Sequence, residues 1–216
     1  MPRGHLVVLE GGEGAGKTTL ADAIRRRFNQ RVERVHVTRE PGGTRPGESI
    51  RAILHERVEL WAEVFLFLAA RNQLIHQVIL PAMNSGKLVL SDRFTASTLA
   101  YQGGGRHLDY DQLESLCEIA AEGVKPSLTI YLDIDPIVGL SRKLGEVDPV
   151  ITGSESVAFH ARVRHVYKSL AQDPTWVTLD ATLPPERVLE LALTHIESFV
   201  PGVGGIQSEF PLDASR

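Results

Sequence analysis

Residues 10–19 carry the clearest chemical pattern in the chain. Their sequence, Glu-Gly-Gly-Glu-Gly-Ala-Gly-Lys-Thr-Thr, follows a short apolar run at 5–9 and precedes a stretch in which Leu20, Ile24 and Phe28 recur every fourth residue. A strand, a glycine-rich turn and a helix form the context in which G-x-x-x-x-G-K-[ST] binds phosphate. The motif positions are Gly11, Gly16, Lys17 and Thr18.

The residue types in this loop explain what it could bind. Glycines allow consecutive backbone N–H groups to converge on an anion, and the positive end of the following helix adds to that field. Lys17 can reach the β- and γ-phosphates of a nucleoside triphosphate, and the Thr18 hydroxyl can bind Mg²⁺. The alternative, a turn that binds nothing, is disfavoured because Lys and Thr stand in register behind a strand. The loop predicts a nucleoside triphosphate site.

Composition limits the class of protein. The chain has 216 residues, of which 43% are hydrophobic and 23% charged, as in an ordinary soluble domain with room for an appended lobe. A net charge of −4 gives no case for binding nucleic acid by bulk charge. The single cysteine, Cys117, shares an apolar helical face and predicts core packing. We find no signal peptide and no apolar run of membrane-spanning length, and we expect a cytoplasmic protein that binds no membrane.

Strand-like and helix-like patterns alternate along the chain. This alternation predicts an α/β fold with a parallel sheet covered on both faces, and ligands in such sheets lie beyond the carboxyl ends of the strands. The expected strands are Leu6–Glu10, Arg34–Thr38, Lys87–Ser91, Leu128–Leu132 and Trp176–Leu179. Residues 1–199 are expected to form one domain, and 200–216 a mobile tail without periodicity.

Charged residues follow the second predicted strand in a turn and in the helix pattern after it. Thr38-Arg-Glu-Pro-Gly-Gly-Thr44 must turn at Pro41 and the two glycines, which presents Glu40 near the ligand edge. Arg51 follows at the start of the next helix pattern. On these residues alone, a surface loop with scattered charges is favoured.

A long helix is predicted at about 60–83, and it carries an arginine in its apolar stripe. Desolvating Arg71 alone would be costly, so it requires a partner. Phe67 lies four residues earlier and is its neighbour on the helix, an arrangement that suits a nucleobase. An internal ion pair, with Glu63 as the obvious partner, is an equally good interpretation.

Asp92 and Arg93 come directly after the third predicted strand. A carboxylate delivered beside a phosphate loop is typical of a Mg²⁺ site, and Arg93 could neutralise a phosphate. In the following segment, Thr98, Tyr101 and Gln102 share a face if it is helical. The three glycines at 103–105 indicate either a close backbone approach or a flexible joint.

The pattern is broken between two late helices. Asp135 is predicted to cap a helix that starts at Pro136 and runs through Arg142. The segment at about 143–155 could be a lid over the phosphates or an inert connection. Thr152 and Glu155 have capping-box spacing for the next helix. A last helix is expected at about 185–199.

Taken together, these segments resemble the thymidylate kinases. Besides the phosphate loop, the resemblance is carried by Thr-Arg-Glu-Pro-Gly-Gly-Thr, Gly-Glu-Ser-Ile-Arg, Ser-Asp-Arg-Phe, Thr-Leu-Ala-Tyr-Gln-Gly-Gly-Gly-Arg, Leu-Thr-Ile-Tyr-Leu-Asp-Ile-Asp-Pro and Leu-Asp-Ala-Thr, in the family's order over about residues 5–199. It implies a three-layer P-loop kinase fold, with a five-stranded parallel sheet flanked by helices and a small lid. It also implies transfer of phosphate from ATP to dTMP with Mg²⁺, in a homodimer formed through long helices like that at 60–83.

The resemblance further implies a role for each matching position. The implied ATP-binding residues are Gly11, Gly12, Glu13, Gly14, Ala15, Gly16, Lys17, Thr18, Thr19, Arg142 and Ala181. The implied dTMP-binding residues are Glu13, Glu40, Pro41, Arg51, Phe67, Arg71, Arg93, Thr98, Tyr101 and Gln102. The implied catalytic residues are Lys17, Asp92, Arg93 and Arg142. The implied metal ligands are Thr18 and Asp92.

For the sugar and phosphate of dTMP, the resemblance assigns three side chains. Glu13 would accept a hydrogen bond from the 3′-hydroxyl, while Arg51 and Arg93 would hold the phosphate. Asp92 would organise the magnesium shell or the attacking phosphate. Phe94 stands where the family usually has an aromatic residue with a hydroxyl, a small departure.

For the base, the resemblance assigns the ambiguous pair on the long helix. Phe67 would stack on thymine, and Arg71 would donate to its ring carbonyl. Thr98 and Gln102 would contact the base edge, and Tyr101 the sugar face.

A larger departure concerns the lid. Family members whose phosphate loop lacks an arginine usually carry several in the lid, and one of them reaches the transferring phosphoryl. Here the loop has none, and the lid offers only Arg142, which the resemblance places against adenine near Ala181, and Lys143. Three possibilities follow. Arg142 or Lys143 takes the place of the missing arginine, Arg162 reaches the transferring phosphoryl from the next helix, or turnover is slow. The alternatives to a dTMP kinase are a kinase of another nucleoside monophosphate and a weakly active nucleotide-binding homologue.

Overall fold

A parallel sheet forms the centre of the protein. The computed structural model describes residues 4–28, 35–144 and 155–200. Within them, five parallel strands pair in the order β2–β3–β1–β4–β5. The strands are β1 (Leu6–Gly11), β2 (Val35–Arg39), β3 (Leu88–Asp92), β4 (Leu128–Asp133) and β5 (Trp176–Asp180). The predicted α/β fold with a parallel sheet is therefore confirmed.

Each strand continues one residue beyond its predicted carboxyl end. The added residues still pair with a neighbouring strand, as in Arg39 beside Asp92 and Asp133 beside Asp180. Polarity had suggested that these residues lie outside the strands. In a parallel sheet whose carboxyl edge carries the ligands, polar residues can end a strand and face the site at once.

Helices connect the strands. They are α1 (Lys17–Phe28), α2 (Arg45–Ile53), α3 (Leu60–Leu74), α4 (Leu80–Asn84), α5 (Thr95–Thr98), α6 (Tyr110–Ala121), α7 (Pro136–Leu144), α8 (Val157–Leu170) and α9 (Pro185–Phe199). A π-helical segment, Ile75–Ile79, joins α3 to α4, so the long predicted helix is continuous but not α-helical throughout. A second π-helical segment, Leu99–Gly105, follows α5. Such wide turns often occur at functional sites.

The helices cover both faces of the sheet, as the three-layer fold requires. On one face, Val7 and Leu9 of β1 pack in a core with α1 and α9. On the other face, Leu6 and Val8 pack against the end of α3 and the π-helical segment after it. Because β1 is buried on both faces, it reads in the sequence as a continuous apolar run.

Several helix boundaries test the sequence-based expectations. The cap at Asp135 is confirmed, since its Oδ1 accepts from the Ile137 N–H at 2.9 Å. The last helix has the predicted bounds. The predicted capping box of α8 is wrong, because Ser156 caps the helix by accepting from the Phe159 N–H. Thr152, most of the expected lid at 143–155 and residues 201–216 of the expected tail lie outside the described residues. A tail that starts at Val200 is wrong, because Val200 is completely buried in the core with α1 and α9.

One helical stretch meets the length and composition criteria for a membrane span. It runs from Leu60 to Asn84, covering 25 residues with a mean hydropathy of 1.2, and thus corrects our expectation that no such run exists. The observation is weak evidence for a membrane, because core helices of soluble proteins meet the same criteria.

The glycines at 103–105 provide a close approach to α8. A Cβ added at Gly105 would lie 2.4 Å from the Phe159 ring, and one at Gly104 would lie 2.5 Å from a Val166 methyl. Arg162 of α8 donates to the carbonyl oxygens of both glycines. Of the two interpretations of this run, the structure supports close packing.

We predict that Gly105→Ala lowers the free energy of unfolding by about 1–3 kcal/mol, because the new methyl group overlaps a rigid ring. Gly103→Ala is the matched control, since its Cβ would meet the nearest side-chain atom at an ordinary 3.4 Å. Urea unfolding of both variants measures the difference. Equal stability of the two variants would contradict the packing argument.

Candidate active site

A cleft of about 860 Å³ opens at the carboxyl edge of the sheet. Its wall includes the loop after β1, the ends of β2 and β3, and the residues after β5. The predicted site residues that line it are Glu13, Gly14, Ala15, Gly16, Lys17, Thr18, Thr19, Glu40, Pro41, Arg51, Phe67, Arg71, Asp92, Arg93, Thr98, Tyr101, Gln102, Arg142 and Ala181. Gly11 and Gly12 do not line it. The cleft thus gathers side chains that are far apart in the sequence.

The phosphate loop is tightly folded between β1 and α1. Lys17 begins α1, and its Nζ donates to the carbonyl oxygens of Gly11 and Gly12 at 3.0 and 2.8 Å. Burial, together with the charge of Arg93, lowers the pKa of Lys17 to about 8. The ammonium is therefore only marginally stable where it lies, and an added phosphate would stabilise it.

The same loop touches the start of α7. Gly14 has a φ of 67°, and a Cβ on it would lie 1.9 Å from the carbonyl oxygen of Gly139. A Cβ on Gly139 would in turn lie 2.2 Å from the carbonyl oxygen of Glu13. Only glycine is compatible with this backbone contact on either side.

Two predicted metal ligands lie side by side. The Thr18 hydroxyl donates to Asp92 Oδ2 at 2.7 Å. Asp92 Oδ1 is buried and has no hydrogen-bond partner among the described residues. Those residues contain no group of three His, Cys, Asp or Glu side chains that could hold a metal. Mg²⁺ usually takes one or two protein oxygens together with waters and substrate phosphates, so Thr18 and Asp92 fit it.

Glu13 connects the loop to two cations. Its Oε1 accepts from Arg93 Nη2 at 2.9 Å and from the Tyr101 hydroxyl at 3.1 Å, and its Oε2 accepts from Lys143 Nζ at 2.5 Å. Burial would raise the pKa of Glu13, but the charges of Arg93 and Lys17 outweigh it and hold the pKa well below its usual range. Glu13 is therefore a carboxylate at neutral pH.

Arg93 adopts an unusual backbone conformation at the end of β3. Its φ of 76° lies in the left-handed region, which is strained for a residue with a side chain. Its guanidinium lies 4.8 Å from the centre of the Tyr101 ring and also donates to the Ser97 hydroxyl. These contacts hold the guanidinium inside the cleft.

Arg71 is in an ion pair, although not with Glu63, the candidate partner that the sequence suggested. The side chain is 1% exposed, and its Nε donates to Glu40 Oε2 at 2.8 Å. Its Nη2 donates to the Phe94 carbonyl and to the Thr98 hydroxyl. Glu63 as the partner of Arg71 is therefore wrong. Glu40 follows β2 and reaches Arg71 from across the cleft, a proximity that helical spacing cannot reveal.

Glu63 takes part in a second network, which sequence analysis missed. Gln102 Nε2 donates to Glu63 Oε1 at 2.7 Å, and Arg106 donates to both Glu63 oxygens at 3.1 and 3.2 Å. Arg106 also donates to Glu155 at 2.8 Å. The sequence feature that could have placed Glu63 in the cleft is its spacing, since it precedes Phe67 by four residues and lies on the same helical face.

Glu10, which sequence analysis also missed, is completely buried. Its carboxylate accepts from the backbone N–H groups of Phe94 and Ser97, from the Ser97 hydroxyl and from the Tyr167 hydroxyl. Burial raises the pKa of Glu10. These bonds hold the segment after Arg93 in place. An acidic residue near the end of an apolar strand was the only available signal.

The candidate lid cations have different partners. Arg142 Nη1 donates to the carbonyl oxygen of Ala181 at 2.8 Å, and Lys143 reaches Glu13 in the phosphate loop. Arg162 bonds the Gly104 and Gly105 carbonyls and is not among the residues that line the cleft. Of the three, only Lys143 contacts the loop.

A phosphate loop between β1 and α1, a strand-end aspartate beside its threonine, and a cluster of arginines in the same cleft define a P-loop kinase. The family model for thymidylate kinase matches residues 9–192. The chain belongs to the thymidylate kinase family.

Individual relatives support the same assignment. The chain is 40% identical to a thymidylate kinase of Protochlamydia amoebophila, over 90% of this chain and 93% of that protein. It is 42% identical to one of Legionella pneumophila, over 91% and 96%, respectively. It is 40% identical to one of Bacillus thuringiensis, over 90% and 98%.

The lowered pKa of Lys17, about 8, predicts that nucleotide binding takes up a proton at alkaline pH. The phosphates of MgATP favour the ammonium form, so above about pH 8 the free protein must bind a proton first, and the Kd should rise about tenfold per pH unit. Calorimetric titrations at about pH 9, in two buffers of different ionisation enthalpy, measure the uptake. The control is about pH 7, where Lys17 is already charged. A binding heat at pH 9 that does not depend on the buffer would contradict this prediction.

Proposed function

We infer that this protein transfers the γ-phosphoryl group of ATP to dTMP, giving dTDP and ADP. The observation that carries this inference is that the phosphate loop and the side chains expected to bind dTMP line one cleft. Lys17 is at the donor side, while Arg51 and Arg93 belong to the acceptor side. Membership of the thymidylate kinase family selects dTMP as the acceptor.

Catalysis requires alignment and charge neutralisation rather than proton transfer. The nucleophile is an oxygen of the dTMP phosphate, which is already ionised, so no general base is needed. Lys17 and the loop N–H groups would hold the ATP phosphates, and Arg51 and Arg93 would hold the acceptor phosphate. When bound, Mg²⁺ neutralises charge on the β- and γ-phosphates. Thr18 and Asp92 would hold it.

The sugar and base of dTMP would occupy the inner part of the cleft. Glu13, which is ionised, can accept a hydrogen bond from the 3′-hydroxyl, with Tyr101 against the sugar. Phe67 would stack on thymine. Arg71 would donate to a ring carbonyl beside Thr98, whose hydroxyl already accepts from it.

Lys143 is the cation that we propose in place of a lid arginine. Lys143 lines the cleft and contacts Glu13 of the phosphate loop. Arg162 instead donates to two backbone carbonyl oxygens of the π-helical segment Leu99–Gly105. Arg142 donates to the carbonyl oxygen of Ala181, a contact that supports its proposed role beside adenine. The expected lid at 143–155 would continue from this end of α7.

We also propose that the protein is a cytoplasmic homodimer. Exposed apolar side chains on α3 and α6 support the dimer: Phe65 is 55% exposed and Ile119 is 70% exposed. A second copy of the chain would bury these side chains. The one domain would span 1–200, since Val200 packs in the core with α1 and α9, and the tail would comprise 201–216.

A coupled assay of ADP release, with ATP and a panel of nucleoside monophosphates, tests the function. We expect dTMP to be the preferred acceptor. The Lys17→Ala variant should lose transfer while dTMP still binds, because Lys17 lies on the donor side. Preference for another acceptor would identify a kinase of that nucleotide, and tight binding of ATP and dTMP without product would identify a nucleotide-binding homologue. Wild-type turnover of Lys17→Ala would contradict the role of the loop.

Base recognition by Arg71 can be tested with Arg71→Lys. This variant keeps a positive charge beside Glu40, whose carboxylate would otherwise be buried without a partner, but it loses the planar donor group. We expect kcat/KM for dTMP to fall by roughly 10- to 100-fold, while the KM for ATP changes by less than about twofold. An equal loss for every acceptor nucleotide would show that Arg71 does not recognise the base.

A further inference from the structure

The side-chain amide of Gln102 has a fixed orientation in the cleft. Gln102 is 5% exposed and lines the cleft at the end expected to hold the base. Its Nε2 donates to Glu63 Oε1 at 2.7 Å. A carboxylate can only accept hydrogen bonds, so the NH₂ group of the amide must face it. If the amide were rotated by 180°, its oxygen would face Glu63 Oε1, and two buried acceptors would repel each other.

Arg106 forms an ion pair with Glu63. Its Nε and Nη2 donate to the two Glu63 oxygens at 3.1 and 3.2 Å, a two-point ion pair. Glu63 is itself buried, and the charge of Arg106 compensates for the loss of water around it. With its NH₂ group bound to Glu63, Gln102 offers its amide oxygen to a ligand, and that oxygen is an acceptor only.

Arg71 offers the opposite hydrogen-bonding character in the same cleft. A guanidinium has five N–H groups. Four of those on Arg71 are directed to Glu40, Phe94, Thr98 and the Cys117 sulfur. The fifth, on Nη1, has no partner among the described residues. The cleft therefore combines a donor from Arg71 with an acceptor from Gln102.

We propose that Glu63, held by Arg106, fixes Gln102 as a hydrogen-bond acceptor and thereby makes the cleft select thymine or uracil over cytosine. The inference rests on the proposed function, in which this part of the cleft holds the acceptor base. Thymine and uracil present a carbonyl oxygen next to an N3–H, which matches the pair of protein groups. Cytosine presents an amino group next to an unprotonated N3, so both contacts become mismatched. Glu63 is a positioning residue, since it acts through Gln102.

The test compares equilibrium binding of dTMP and dCMP by calorimetry. In Glu63→Gln, an amide that can either donate or accept replaces the carboxylate, and Gln102 is free to rotate. We expect the ratio of the dCMP Kd to the dTMP Kd to fall by at least about tenfold relative to the parent chain, the effect of one mismatched buried hydrogen bond. A general loss of structure would instead weaken both nucleotides and lower the midpoint of thermal unfolding.

Glu155→Gln is the matched control. It removes the other carboxylate that Arg106 contacts, but it does not touch Gln102. We expect the ratio of the two Kd values to stay within about twofold of the parent ratio. A shift as large as that of Glu63→Gln would overturn the inference.

Two further measurements separate this inference from the proposed function. Gln102→Leu keeps the volume and removes the amide, so it should reduce the ratio even if Glu63→Gln fails to fold. An unchanged ratio in Gln102→Leu, or a parent chain without preference for dTMP, would overturn the inference. A parent chain that prefers dTMP in binding but produces no dTDP would instead refute the proposed function and leave the selection by Glu63 standing.

Discussion

The arginine and lysine side chains that line this cleft each have an anionic or carbonyl partner. Removing a cation from water costs roughly several kcal/mol of free energy, unless a well-placed anion compensates for the lost hydration. Glu13 compensates Arg93 and Lys143, and Glu40 compensates Arg71. Because the members of each pair come from segments far apart in the sequence, the ion pairs also tie the walls of the cleft together.

The same pairing prepares the cleft for phosphate. Cations held in place by carboxylates lose little freedom when an anionic ligand arrives, which is how a site gains electrostatic preorganisation. Lys17 differs from these cations, because its ammonium group donates to backbone carbonyl oxygens and not to a carboxylate. It is buried near Arg93, which lowers its pKa to about 8, so in the free protein it loses its charge at alkaline pH. The site thus combines arginines held by carboxylates with one lysine whose charge depends on the ligand only at alkaline pH.

Local patterns were sufficient to predict the sheet and the loop, but not the partners of the buried charges. Apolar runs ending at polar residues located every strand to within a residue at its carboxyl end. The pairing of Arg71 with Glu40, 31 residues away, depends on how β2 and α3 meet, and helical spacing pointed to Glu63 instead. Glu10 and Arg106 were missed for the same physical reason, because their contacts cross the fold. Neighbouring polar residues offered competing caps for α8, and the structure uses Ser156.

The contact between Gly14 and Gly139 constrains how this sequence can diverge. Elsewhere in a core, a larger side chain on one element can be accommodated by a smaller one on its neighbour. Here a methyl group added to either glycine would overlap the backbone of the other segment, and neither glycine has a side chain that a substitution could make smaller. The two positions therefore have no compensating partner substitutions, and lineages that keep this loop against α7 must keep both glycines.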